Sequence, residues 1–418
     1  MTDFEYTMAT DFDRAWLNFE LDLPLKPGPN GEANCFYVNR PGNPIGELID
    51  ALLAPFYRPP KFFFSGHRGC GKSTELLHLM AHPGIQKKYW PVNFSIREEA
   101  DIIDLDFRDI LLAIGSRMFR DYRKAGGKLP EQLLKELNGW RGKVEEEVKT
   151  IRSGRGSYEL DAGIDAFFYN TGLKMKLEPV VRAELRQVFE KNITGLISVI
   201  NNIATAIYIK EHRIPLILID DLDKPNLDEA RAIFHDRRNI MMQPNCAIIY
   251  TVSSALFYTK EFEAIRDQAI FLPNIKLHPH CQPEVKDRDG YLTLRRFVHV
   301  RIDPHLVEPQ AIEEAISNSG GVFREMARIM RTAIGRARRR RAPKVEIIDV
   351  EWACTEIRNE YRRILDKTDI EILKRVHQQN RLEYDDRLRP LLQLLAVLEY
   401  RNGENWCDIH PVLRRLIE

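Results

Sequence analysis

Residues 66–74 read GHRGCGKST and fit the pattern G-x-x-x-x-G-K-[ST] at every fixed position. The short apolar run before them, KFFFS, reads as a buried strand, and ELLHLM after them continues as helix. Strand, glycine-rich turn and helix together give the pattern its meaning. Gly66, Gly69 and Gly71 let the backbone curl where a Cβ would clash or forbid the dihedral. The loop amides of Gly66, His67, Arg68, Gly69, Cys70, Gly71, Lys72, Ser73 and Thr74 then form a nest for phosphate oxygens, reinforced by the positive end of the helix. Lys72 brings a point charge to the outer phosphates, and the Ser73 hydroxyl is a magnesium ligand. Cys70 fits the loop as a small side chain, with oxidation sensitivity as the alternative.

A phosphate loop alone hydrolyses nothing. The second element is ILIDDLD, residues 217–223, an apolar strand ending in acids. Such a strand carries its carboxylates to the sheet edge where ligands bind. Asp220 is expected to hold magnesium through water, and Asp221 to orient or deprotonate the attacking water. Capping of the next helix is the alternative for Asp221 and Asp223. The strand AIIYTVSS ends in Thr251 and Ser253, either of which is a γ-phosphate sensor or a plain strand-end hydroxyl; Ser253 is the one taken forward. In GGVFREMARIM, Arg324 stands near a helix start, from which its guanidinium either folds back onto the phosphates or stays a solvated helix-start arginine. Arg266, Arg296 and Arg301 are candidates for a finger into a neighbouring subunit.

Strands alternate with helices and give way to a helical block, which indicates an α/β fold: a P-loop NTPase parallel-sheet domain with a helical insertion, a helical lid and a C-terminal winged-helix-like domain. The divisions fall at a lead segment 1–60, a core 61–300 with an insertion at about 97–178, a lid 301–366 and the winged-helix-like part 367–418. Within the insertion, Asn170-Thr171-Gly172 and the alternation in 173–177 point to a hairpin. Residues 179–210 read as one helix. Near the end, a helix at 385–395 precedes two strands, 396–400 and 406–409, around the Asn402-Gly403 turn.

Composition narrows the partners. The net charge is +1, so no global field draws the chain to nucleic acid or membrane. Any such affinity has to come from a patch, and residues 331–341 hold six arginines without an acid. Arg336, Arg338, Arg339, Arg340 and Arg341 would contact nucleic-acid phosphates or else form a solvated helix end. The six cysteines lack paired spacing, as do His278 to Cys281 (HPHC), so reduced thiols rather than disulfides or zinc are expected. No basic-apolar leader opens the sequence, and no apolar run nears the ~18 residues of a membrane span, so a cytoplasmic protein without membrane contact is expected.

FFFSGHRGCGKSTELLHL, LILIDDLDKP, AIIYTVSSAL and GGVFREMARIM together resemble the AAA+/STAND branch of P-loop ATPases, whose KAP-like, NACHT-like and origin-recognition-like members include many from bacterial and archaeal defence systems. The resemblance implies ATP and magnesium as cofactors, and Lys72, Ser73, Asp220 and Asp221 in the roles given above. It also implies that Arg324 is a sensor-2-like arginine. The sequence has neither LSGGQ nor an NKxD guanine reader, in keeping with ATP. No long repeat array follows the winged-helix-like part, a departure from ligand-sensing members. The reading that follows is an ATP-hydrolysing switch that forms homo-oligomers and activates a separate effector protein, in antiviral defence. The alternative is a nucleic-acid-binding ATPase of the loader or initiator type.

Overall fold

Runs rich in β-branched and aromatic residues become the strands of a central sheet: β1 (Lys61–Gly66), β2 (Tyr89–Ser95), β3 (Ile214–Asp220), β4 (Ala247–Thr251) and β5 (Ala269–Leu272). The computed structural model describes every residue except 1–3, 24, 29–30, 152–163, 382–386 and 403. The sheet order is β2-β3-β4-β1-β5, and the β2–β3, β3–β4 and β4–β1 pairs are parallel. Burial on both faces explains the unbroken apolar runs; β4 is buried at every residue. β1 and β3 flank β4, and all three strands run in the same direction.

The chain forms two compact units. One comprises Ala51–Ser65 and Pro83–Ile270; the other comprises Met1–Asp50, Gly66–His82 and Phe271–Glu418. In the first, the sheet shares one apolar core with the helices Phe107–Lys124, Glu131–Ile151, Ile164–Leu177, Pro179–Lys191 and Ile193–Glu211. Asp106 and Asp109 close a capping box at the start of Phe107–Lys124. The hairpin expected at 170–177 is instead the end of the helix Ile164–Leu177. Burial of Ile164, Phe167, Phe168, Thr171 and Met175 follows a helical period, and this apolar face overrides the turn signal of Asn170-Thr171-Gly172. The single helix expected over 179–210 is two, divided at Asn192. Helix Ile193–Glu211 is the one described helix long and apolar enough to cross a membrane, and it buries Leu196, Ile200, Ile203 and Ile207 in this core.

The second unit carries helix Arg288–His299 and the lid helices Pro309–Asn318, Phe323–Arg340 and Ile347–Ile364. Its C-terminal part has helices Lys367–Gln379 and Leu388–Gln393, then β6 (Val397–Asn402) antiparallel to β7 (Glu404–Ile409). This is the winged-helix-like outline. Gly403 of the expected turn and residues 385–386 of the expected helix lie outside the described residues.

Candidate nucleotide-binding site

The phosphate loop belongs to the second unit, together with the lid and the winged-helix-like part. It turns through Gly69 (φ 77°) and Gly71 (φ 102°) into helix Lys72–Ala81, whose N-cap, Gly71, offers no side chain to the first amides. A helix start without a side-chain cap, an adjacent ammonium and an exposed Ser73 hydroxyl make a donor set that fits a phosphate with its magnesium. Lys72 is buried, and its Nζ donates to the carbonyls of Gly66 (2.9 Å) and His67 (3.1 Å). Arg68 is exposed and Cys70 is buried, so the Cys70 thiol acts in packing rather than as an accessible redox group.

The start of helix Phe323–Arg340 lies directly against this loop. The Arg324 amide donates to the Gly69 carbonyl (3.1 Å), and the Phe323 ring stands 3.4 Å from where a Cβ on Gly71 would fall. The Arg324 guanidinium is paired with Asp22. Arg40, which no sequence motif marks, is buried against the loop. Its guanidinium donates to the carbonyls of Cys70 and Pro273 and lies 5.5 Å from the Phe323 ring centre.

His67 points away from solvent into the winged-helix-like part. Its ring is fully buried, and Nε2 accepts a hydrogen bond from the Glu399 amide of β6 at 2.9 Å. Burial, with the Lys72 charge beside it, pushes its pKa down to about 3, so the ring stays neutral and Nε2 remains an acceptor. Glu399 is fixed on its other side too: Asn274 Nδ2 donates to its carbonyl at 3.2 Å. The Tyr400 hydroxyl donates to the Gly320 carbonyl at 2.8 Å, just before the lid helix.

The acidic strand end lies in the first unit. Asp221 has φ 64°, the left-handed region that a non-glycine residue occupies only when its surroundings hold it there. Three groups hold it. The Ser95 hydroxyl donates to Asp221 Oδ2 (2.6 Å), with Arg97 Nε at 3.8 Å and Lys224 Nζ at 3.9 Å from Oδ1. Asp220 Oδ1 accepts the Asp221 amide at 2.8 Å. The next helix, Leu227–Arg231, is capped by Asn226 in a capping box, which removes the capping role considered for Asp221 and Asp223.

Three other expectations change. The buried Thr251 hydroxyl accepts from the Leu222 amide (3.0 Å) and donates to the Ile219 carbonyl (3.1 Å), so it fastens the turn after β3 and has no proton left for a phosphate. Ser253 is the N-cap of helix Ser254–Phe257, accepting from the Ala255 amide at 3.3 Å. Arg301 cannot act as a finger: it is buried between Phe36 and Phe297, 3.8 Å from the Phe297 ring centre, and burial lowers its pKa to about 9. Arg266 is exposed and pairs with Glu263.

The arginine run divides in two. Arg336 and Arg340 reach the fully buried Asp349, at 3.7 and 2.7 Å, and Arg340 also meets Glu346. Arg338, Arg339 and Arg341 are exposed, Arg338 in a surface pair with Asp13 and Arg339 over the Trp352 ring. His278 and His280 of the HPHC segment pack on Trp406, with ring centres 5.1 and 5.5 Å away.

No family model and no curated protein matches this sequence. Among solved structures, the chain is similar to the Aeropyrum pernix ORC2 protein in its ADPNP-ADP complexes, with 12% identity, 96% of this chain and 95% of that one covered, and a TM-score of 0.44. It is also similar to Cdc6p from Pyrobaculum aerophilum (10% identity, 92% and 95% covered, TM-score 0.41). A third likeness is to Drosophila ORC bound to DNA (10% identity, 100% and 94% covered, TM-score 0.42).

Proposed function

We propose that this chain is an ATP-binding and ATP-hydrolysing switch of the AAA+ kind, whose nucleotide state is passed to its lid and winged-helix-like part. The observation that carries the reading is the phosphate loop itself: a fully matched motif, an uncapped helix start behind it and a buried Lys72 within it. Lys72 and the loop amides would bind the β- and γ-phosphates. Ser73 and Asp220 would hold magnesium, which neutralises charge on the phosphates. Asp221, fixed by the Ser95 hydroxyl, would orient the attacking water and take its proton. Arg324, whose backbone already rests on Gly69, would turn its side chain from Asp22 to the phosphates.

ATP turnover by the purified chain tests this. The reading requires phosphate release that is lost in Lys72→Ala and in Asp221→Asn; a chain that neither binds nor turns over ATP overturns it. Of the two outputs, loading or initiation on nucleic acid has the firmer support, because the exposed arginines and the winged-helix-like part belong to one unit. A homo-oligomer that activates a separate effector in cytoplasmic defence is the other. DNA affinity at two salt concentrations, with and without ATP, separates them: indifference to both leaves the effector reading.

A further inference from the structure

The His67 side chain belongs to the phosphate loop, yet the nucleotide chemistry does not use it. It is fully buried, and its partner, the Glu399 amide, lies 332 residues further along the chain, in the first strand of the terminal hairpin. We propose that the His67–Glu399 hydrogen bond is a latch that holds the winged-helix-like part against the phosphate loop, and that a bound triphosphate opens it. The inference rests on the loop binding nucleotide, as above.

The coupling follows from where Lys72 sits. Its ammonium now donates to the carbonyls of Gly66 and His67, the two peptides on either side of the His67 Cα. A triphosphate competes for that ammonium. Once Lys72 turns to phosphate, both carbonyls lose a charged donor in a buried place, which a chain relieves by turning the peptides. The same rotation points the loop amides at the phosphates. Turning the peptides that flank His67 displaces its ring, and a hydrogen bond of 2.9 Å does not survive a shift of an ångström or more. The Glu399 amide is then left to solvent. Around it, the buried cluster Val322, Leu395, Leu398, Tyr400 and Trp406 joins the lid start to the hairpin, so release at Glu399 loosens the packing beside Phe323 and Arg324 as well.

Hydrogen exchange of the full chain tests the latch. Peptides covering residues 397–402 should exchange about five- to tenfold faster in His67→Ala than in the wild type, both without nucleotide, as expected for one lost hydrogen bond. His67→Gln, which keeps an acceptor at the same reach, should restore most of the protection. Peptides over β3 should be unaffected in both variants, which separates release of the latch from unfolding. In the wild type, a non-hydrolysable ATP analogue with magnesium should produce the same acceleration at 397–402. Nucleotide binding is read independently with a fluorescent analogue. If the analogue binds and the exchange of 397–402 stays the same, or if His67→Ala leaves it unchanged, the latch is wrong and the nucleotide site stands. If no analogue binds, the nucleotide site and the latch both fall.

Discussion

The Arg324 amide donates to the Gly69 carbonyl, and a Cβ on Gly69 would fall 2.4 Å from the Arg324 Cβ. The phosphate loop and the lid helix are thus in backbone contact at a residue where a side chain has no room. Gly69→Ala adds a left-handed dihedral at φ 77° to that collision, a combined cost of about 2–4 kcal/mol unless the lid moves away. The expected outcome is a lower Tm together with weaker ATP binding, whereas Gly139→Ala, in open space on a helix, should raise or preserve Tm. Equal behaviour of the two variants would show that the lid does not rest on the loop.

Lys72→Ala removes a charged donor that the loop carbonyls and an incoming phosphate share. Loss of one charge-assisted hydrogen bond weakens ATP binding by about ten- to a hundredfold. The variant also leaves the carbonyls of Gly66 and His67 without that donor, so the empty protein should melt earlier than the wild type. Calorimetric titration with ATP and a thermal melt read the two effects separately.

The strands and the phosphate loop were legible because their signals are local. An apolar run of five to seven residues bounded by turns has few other folds, and β1 to β4 lie where such runs lie. β5 was missed because AIFL has only four residues and stops at Pro273. The hairpin expected at Asn170-Thr171-Gly172 failed for the opposite reason: a real turn signal sits on a helix whose buried face outweighs it. What no local pattern carries is pairing across hundreds of residues. Arg40 on Cys70 and His67 on Glu399 are visible only once the chain is folded. The roles of the arginines depended on acids elsewhere, so Arg340, a candidate phosphate ligand, turns out to neutralise Asp349.

Asp221→Asn isolates charge from backbone. Asn tolerates the left-handed region nearly as well as Asp, so the turn at φ 64° should persist while the carboxylate is lost. Turnover should fall about a hundredfold or more with ATP affinity retained, as for removal of a general base. Ser95→Ala removes the hydroxyl that orients Asp221 and that also caps helix Ile96–Glu99 at the Arg97 amide (3.2 Å), and should cost about fivefold in kcat. A Ser95→Ala defect as deep as that of Asp221→Asn would mean that the serine has a role beyond orientation.

The pH dependence of stability has a definite sign. His67 is held at about 3 in the folded chain against about 6.5 when unfolded, so between those values the unfolded chain binds more protons. Stability therefore rises with pH from about 3 to 6.5, by at most about 1.4 kcal/mol per pH unit from this group, and is flat above. Burial lowers His78 and His299 in the same direction, so the wild-type curve alone does not assign the effect. Denaturant melts of His67→Gln against wild type at pH 5 and pH 7.5 do. The gap between the two pH values should shrink in the variant.

Asp349 decides what the arginine run can offer to nucleic acid. It is fully buried and held by Arg340 and Arg336, and a buried carboxylate stripped of its partner is strongly destabilising. Arg340→Ala should therefore lower Tm clearly. Arg338, Arg339 and Arg341 stand on the surface, where the Asp13 pair of Arg338 contributes little. Their joint replacement by alanine should barely change Tm. If the loader reading holds, the same replacement reduces the slope of log affinity against log salt by up to about 3, close to one unit for each phosphate no longer neutralised. Filter binding to a DNA duplex across a salt series measures that slope. A steep slope that survives this replacement but vanishes in Arg340→Ala at a temperature where that variant is folded would reverse the division of the run.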